Sequence, residues 1–289
     1  MAVGAAITAT WEALRGPLRP ALTSLAAKYN VLNMQFAARV PSLEPGEALR
    51  RYHETLYQRF GAQRWWPART RLEIILGAIL TQNTAWRNAA LALKQLRKAG
   101  LLNLKRLETL SRLELESFIR PAGFYRQKAA TICNFLNWLR RTHGGSLRAV
   151  FTRPPDEVRR ELLSVKGIGP ETADAILLYA GRQPLFVADA YTRRILERHA
   201  LVPPRTYYSE AQDFLHRNLP RDQGLFNEFH ALLVEVGKQY CRREAPRCEA
   251  CPLQDFLPHP AGREVSGTAS LSLSHDLRKP RPEARARLI

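Results

Sequence analysis

Three short stretches of this 289-residue chain hold side chains whose types and spacing could do chemistry. The first runs Leu163-Ser164-Val165-Lys166-Gly167-Ile168-Gly169-Pro170-Glu171-Thr172-Ala173. One helix ends, two glycines one residue apart make a tight turn, and a proline opens the next helix, where its missing N–H costs nothing. Gly167 and Gly169 can take positive φ and let the backbone approach a ligand closely. The free N–H groups that follow sit at the positive end of a helix dipole, which grips a phosphate without reading sequence. A G-x-G turn alone equally suits a plain helix connection. Ile168 is expected to pack inward and lock the turn.

The second stretch is Phe186-Val187-Ala188-Asp189-Ala190-Tyr191-Thr192-Arg193-Arg194. A short apolar run delivers one carboxylate to the start of a helix. By itself Asp189 could be only an N-cap. Arg193 and Arg194 could hold phosphates or form a solvated basic face. The third stretch is Cys241, Cys248 and Cys251, spaced C-x6-C-x2-C, with the fourth cysteine, Cys133, far away. No segment reads as a secretory signal, so a disulfide framework is not expected. The cluster points to metal or iron–sulfur ligation.

The elements that must position these groups read as helices almost throughout. Thr70-Arg71-Leu72-Glu73 has the form of a capping box, followed by Leu72, Ile75, Leu76, Ile79 and Leu80 at helical spacing. Further helices are expected over 47–60, 85–99, 104–109, 112–119, 125–142, 155–163, 171–181, 189–199, 208–218 and 225–238. No alternating strand pattern occurs, so the class is all-α. Residues 1–43 read as a loose extension or an early start, with Met34 as a later candidate. Organelle targeting by residues 1–41 stays open. Residues 258–289 read as a disordered basic tail.

The chain carries 44 Lys+Arg against 26 Asp+Glu, a formal net charge of +18. Residues 1–41 and 262–289 account for only +3 each, so the excess belongs to the folded body. That favours a polyanionic partner, most simply nucleic acid. No run of about 18 apolar residues exists, so no membrane span is expected. A cytoplasmic, nucleoid-associated monomer is the expectation.

The hairpin followed by Asp189 resembles the helix-hairpin-helix DNA glycosylase superfamily, whose type member is endonuclease III, over about residues 44–257. The resemblance implies two helical lobes flanking a DNA cleft. One is a six-helix barrel at 71–182 containing the hairpin 163–173. The other joins 44–70 to 183–257, with a cysteine loop at 241–257. It implies that Asp189 is the essential carboxylate, that Lys166, Gly167, Gly169, Arg193 and Arg194 contact DNA, and that the target base is flipped out. An N-glycosidic bond breaks with oxocarbenium character on the sugar, which a fixed negative charge stabilises.

Two departures from the family pattern shape the reading. Relatives that also cut the strand carry a Schiff-base lysine where this chain has Glu171. The expectation is therefore a monofunctional glycosylase in which Asp189 activates water. Trp65-Trp66-Pro67, the Thr81-Gln82-Asn83-Thr84 stretch and Glu171 look like the 3-methyladenine glycosylase branch. By that likeness Trp66, Pro67 and Trp86 line the base pocket and Gln82 approaches or fills the gap in the duplex, although the tryptophans also suit core packing and Gln82 equally suits a surface amide. Alkylated bases are cationic or electron-poor and stack well on indoles.

The cysteine loop matches the family's 4Fe–4S loop at three ligands, but its fourth position is Leu257. His259 could substitute. A cluster with a non-cysteine ligand, a labile cluster and a cluster-free loop all stay open. If a cluster binds, it is structural, and Arg242, Arg243 and Arg247 reach phosphate from its loop. The competing functions are a bifunctional glycosylase/lyase, which Glu171 opposes, and a non-catalytic DNA-binding repair accessory, which Asp189 opposes. A mismatch adenine glycosylase fits less well, because the chain stops soon after the loop.

Overall fold

The computed structural model describes residues 43–258 apart from Arg64, Pro67 and Arg69. The expectations for Pro67, His259 and both terminal extensions lie outside the described residues. Twelve helices follow one another, and no strand occurs among the described residues. They are α1 (Pro45–Phe60), α2 (Arg71–Leu80), α3 (Trp86–Lys98), α4 (Leu104–Glu108), α5 (Arg112–Ile119) and α6 (Tyr125–His143). Then come α7 (Leu147–Phe151), α8 (Pro155–Ser164), α9 (Pro170–Ala175), α10 (Ala190–Arg198), α11 (Tyr208–Asn218) and α12 (Gln223–Gln239). No helix among them is long and apolar enough to cross a membrane.

Local sequence rules explain most of these boundaries. Thr70 accepts a bond from the Glu73 N–H at 3.2 Å and caps α2. Ser111 and Glu114 form a reciprocal capping box on α5. Gly144, at φ 58°, ends α6. The short helix α7 is absent from the sequence reading. Its five residues lie between Gly144-Gly145 and Pro154-Pro155, and only a Ser146 cap announces it. The predicted helix over 171–181 is also not uniform. After Ala175 it widens into a π turn, Ile176–Ala180, a distortion that often marks functional sites.

Two hydrophobic cores form within one compact unit. The first is built from residues between Leu72 and Leu185 on α2 to α9. That core spans eight helices, of which α4 and α7 have only five residues each. The second core draws Ala48 to Leu56 of α1 together with residues between Leu178 and Leu253. Trp66, Ile74 and Ala175 pack against both. The ion-paired Glu73 and the buried Lys128 fix the first core. Glu73 pairs with Arg97, while Lys128 Nζ donates to the carbonyls of Leu80 (2.9 Å) and Ala122 (2.8 Å). Burial lowers the Lys128 ammonium to about 8.

Candidate active site

The hairpin is seated by three neighbours. Gly167 sits at φ 100°, and a Cβ there would stand 2.1 Å from Thr131 Oγ1 on α6. Glycine is therefore required twice over, by backbone and by space. Asn134 Nδ2 donates to the Lys166 carbonyl at 2.9 Å. Ile168 is buried in the first core, as its position in the turn predicts. Gly169 differs from expectation, since its φ is −95°, extended and open to any residue. A Cβ there would meet nothing within 4 Å, so what it offers a ligand is open approach. The Lys166 side chain is exposed beside it.

Gln82 also differs. Its Nε2 donates to the Gly167 carbonyl and to Thr172 Oγ1, both at 2.9 Å. In this structure the amide clamps the turn after α2 onto the hairpin, although the residue still borders the pocket.

That pocket has a volume of about 200 Å³ and lies where the two cores meet. Its walls include Trp65, Trp66, Trp86, Tyr179, Glu171 and Asp189. Trp66 stacks on Tyr179 at 4.9 Å and meets Trp86 edge-on at 5.3 Å. The indole is held at φ 71°, a left-handed conformation that costs about 1–3 kcal/mol in a bulky residue. Gly77 on α2 makes room, because a Cβ there would stand 2.9 Å from the Trp66 ring. The strain is maintained by packing on both sides, which suits a wall that must keep its shape for a ligand.

Asp189 caps α10, its Oδ1 accepting from the Thr192 N–H at 2.8 Å. Its Oδ2 lies 3.6 Å from His230 Nε2. The capping bond therefore uses one oxygen and leaves the other without a bond to the helix. Burial pushes the Asp189 carboxyl up, but His230 and the Thr192 bonds outweigh it and hold it below its ordinary value. Glu171 goes the other way. Desolvation in the pocket and then the charge of Asp189 raise it, although part of the residue stays exposed at the rim. Two neighbouring carboxyls are thus shifted in opposite directions.

His230 and Tyr179 are functional candidates that reading the sequence missed. His230 is 5% exposed on α12, and its Nδ1 is bonded to the Tyr179 hydroxyl. With the tyrosine donating to Nδ1, Nε2–H faces Asp189, an assignment that follows from the network. In sequence, Phe229-His230-Ala231 looks like an ordinary core turn of an amphipathic helix, and only the fold brings it to Asp189. Lys238 was also missed. It lines the same pocket, its Nζ 5.1 Å from the Trp65 ring centre.

Among the described residues, the buried side-chain nitrogens and oxygens without a partner belong to Trp65, Trp66, Thr192, Arg193 and His230. Three line the pocket and two stand on the first turn that Asp189 caps. Unsatisfied buried groups each cost about 1–3 kcal/mol, so their concentration here marks a place built to receive something polar.

Arg194, expected to contact DNA, is partly engaged within the protein. Its Nε donates to the Cys241 carbonyl at 2.7 Å, and its guanidinium lies over the Tyr191 ring. It ties α10 to the cysteine loop. That loop makes short turns at Cys248–Ala250 and Gln254–Phe256. Burial, with Cys241 and Cys248 nearby, raises the Cys251 thiol. Cys133 packs against the first core, away from the loop.

Comparison with known proteins places this geometry. A family model described as HhH-GPD superfamily base excision DNA repair protein matches residues 76–221. A Methanocaldococcus jannaschii protein named as a DNA repair glycosylase is 39% identical over 211 residues, covering 73% of this chain and 96% of its own. The H. pylori 3-methyladenine DNA glycosylase, solved with 1,N6-ethenoadenine, is 28% identical at a TM-score of 0.60, covering 68% of this chain and 98% of its own. An endonuclease III trapped covalently on DNA is 21% identical at a TM-score of 0.64, covering 74% and 96%, and shows the shared fold.

Proposed function

The chain belongs to the HhH-GPD superfamily of base excision DNA repair proteins and is a DNA repair glycosylase, and on that premise we propose that it is a monofunctional enzyme releasing alkylated bases from double-stranded DNA. The observation that carries this reading is an Asp189 held ionised in an indole-walled pocket, with Glu171 and not lysine beside it. In this reading the two cores are two lobes, and duplex lies across the groove between them. Gly169 and the exposed Lys166 hold a backbone phosphate. Arg193 and Arg194 do not share this equally, since Arg194 is bound to the cysteine loop.

The target base turns out of the stack and enters the pocket. A volume of about 200 Å³ is below the ~300 Å³ at which drug-sized sites begin, and suits one heteroaromatic base. Trp66 and Trp86 meet at 63°, so a base can lie against one face and abut the other edge. A base alkylated on a ring nitrogen is positively charged, which the indole faces and the two carboxyls favour, by about 0.5–2 kcal/mol for the stacking part. Such a base already leaves readily. The C1′–N bond breaks with its electron pair going to the base, and the sugar becomes cationic. Asp189 stabilises that cation and orients the water whose oxygen bonds to C1′, while the water proton passes to the carboxylate or to solvent.

The loop at 241–257 is proposed to hold a 4Fe–4S cluster. Three thiols with a guanidinium donating to one of them form a donor set that fits an anionic cluster. When bound, the cluster cross-links the loop and takes no part in the chemistry.

A second reading keeps one observation in its favour. Lys238 brings an amine to the pocket wall, so a strand-cutting lyase could use it in place of a lysine at 171. Incubation with duplexes carrying single 3-methyladenine, 7-methylguanine, oxidised-pyrimidine or undamaged sites separates the readings. Base release from the alkylated duplexes, with strand breaks only after alkali, is expected. Breaks without alkali, with a borohydride-trapped adduct that Lys238→Ala abolishes, would establish the lyase. Tight duplex binding with no release from any lesion would make the protein an accessory.

A further inference from the structure

Cys241, Cys248, Cys251 and Leu257 wall a cavity that is also lined by His199, at the C-terminal end of α10. His199 is 4% exposed. Its Nδ1 lies 2.9 Å from the Tyr52 hydroxyl oxygen and 3.3 Å from the Phe256 carbonyl oxygen. A carbonyl oxygen only accepts, so both contacts are met by an Nδ1–H shared between two oxygens, an assignment made from the network. Nε2 then carries a lone pair, and it has no hydrogen bond among the described residues. A histidine ring fixed through one nitrogen by a carbonyl, with the other left bare, is how metal-ligating imidazoles are held.

We propose that His199 Nε2 is the fourth ligand of a 4Fe–4S cluster carried by Cys241, Cys248 and Cys251, in the place that Leu257 cannot fill. The assignment goes beyond the catalytic reading and does not depend on it. It differs from ligation by the neighbouring His259 in that His199 comes from a helix and not from the loop. Cluster loading would thereby pin α10, which Asp189 caps, to the loop that ends the second core. Arg198, the preceding residue, supplies the compensating charge. Its Nη1 donates to Cys241 Sγ at 3.3 Å and to the Arg242 carbonyl at 2.6 Å, and its Nη2 to the Arg243 carbonyl at 3.1 Å.

A single zinc ion is the competing occupant. It would draw its thiolates to about 2.3 Å, and among the described residues no three Cys, His, Asp or Glu side chains converge on one ion. A cluster gives each ligand its own iron and tolerates a wider set. The free space between these groups is about 10 Å³, so loading must displace the outer loop. Residues 242–247 are exposed, and their shift would have to break the Arg198 bonds to the Arg242 and Arg243 carbonyls, whereas Cys241 and His199 are buried anchors.

The test uses the full chain, purified without oxygen, with iron, sulfide and zinc counted and the reduced protein examined by pulsed EPR after 15N-histidine labelling. The wild type is expected to hold about four irons and four sulfides, with one nitrogen coupled to the cluster. His199→Ala should lose that coupling and fall to three irons or fewer. His199→Ala with Leu257→Cys should regain four irons without the nitrogen signal, a rescue that a merely structural histidine would not allow. His259→Ala should change nothing. A wild type that holds zinc or no metal overturns the proposal. So does a His199→Ala chain with an unchanged cluster, or a nitrogen coupling that disappears with His259→Ala.

Discussion

Two aspartates lie on either side of the junction between the cores, and they are treated in opposite ways. Asp174 on α9 is fully buried. Arg159 grips both its oxygens, at 2.6 and 3.0 Å, while the Tyr208 hydroxyl and Gln212 Nε2 each donate at 2.8 Å. Four donors from α8 and α11 saturate it, and Gln212 also reaches the Phe186 carbonyl at 2.7 Å. Asp189 has one backbone N–H at bonding distance, and His230 stands off at 3.6 Å. Its surroundings keep unpartnered indole, imidazole and guanidinium nitrogens. A carboxylate whose bonds are complete holds structure. One whose second oxygen is left facing a pocket retains capacity for a substrate. The first rigidifies the hairpin helix so that the second keeps its place.

That contrast can be broken most sharply by exchanging what each carboxylate loses. Asp189→Asn should reduce base release by about 10²–10³-fold or more, with thermal unfolding and duplex binding close to wild type, because the amide oxygen can still cap α10. Single-turnover release assays beside thermal melts would show it, and a variant with full turnover would remove the mechanism. Asp174→Ala should do the reverse. Leaving Arg159, which keeps 27% of its side chain exposed, without its partner, and Tyr208 and Gln212 without an acceptor, costs about 1–3 kcal/mol, at ~2–4 °C in Tm per kcal/mol, while the folded fraction keeps its activity. Loss of turnover without a lower Tm would mean that Asp174 works in the site as well.

Two smaller effects sharpen the Asp189 side. His230 lowers the Asp189 carboxyl, so His230→Phe should raise it. In the proposed mechanism activity needs the ionised form, and the acid limb of the rate profile should therefore move to higher pH, with more of the rate lost on the acid side than at neutral pH. An unshifted limb would remove His230 from the site. The stability signs follow separately. Asp189, depressed in the fold, adds stability above its unfolded value near ~3.9 that is lost as pH falls through its folded value. Glu171, raised in the fold, adds stability at acid pH that is lost as pH rises through its folded value. Glu171→Gln should thus raise the melting temperature slightly at neutral pH and leave it unchanged in acid. An equal gain at both would separate that effect from its charge.

Much of this was legible in one dimension. The helices, the Thr70 and Ser111 caps and the glycine turn follow local rules of spacing and backbone freedom, so the all-α class and the seat of Asp189 could be read directly. The missing lysine and the missing fourth cysteine were visible as single letters. Asp174 was not singled out, because one acid on a helix looks the same whether it meets water or an arginine. Gln82 and Arg194 make internal bonds that were illegible for a related reason. Their types suit nucleic acid, and only the crossing of chain segments showed that the Gly167 and Cys241 carbonyls claim them first.

The sequence by itself determined the elements, the hairpin and the helix start that Asp189 caps, because these rest on neighbours a few residues apart. Only the tertiary structure decided which groups set that carboxylate's charge and which wall faces it. Tyr179 and His230 are 51 residues apart, and His199 reaches the cysteine cavity from another helix. No local pattern encodes such pairings. They arise because two cores, each burying its own apolar faces, can close against each other in one arrangement, and polar groups left at that seam must bond there or await a ligand.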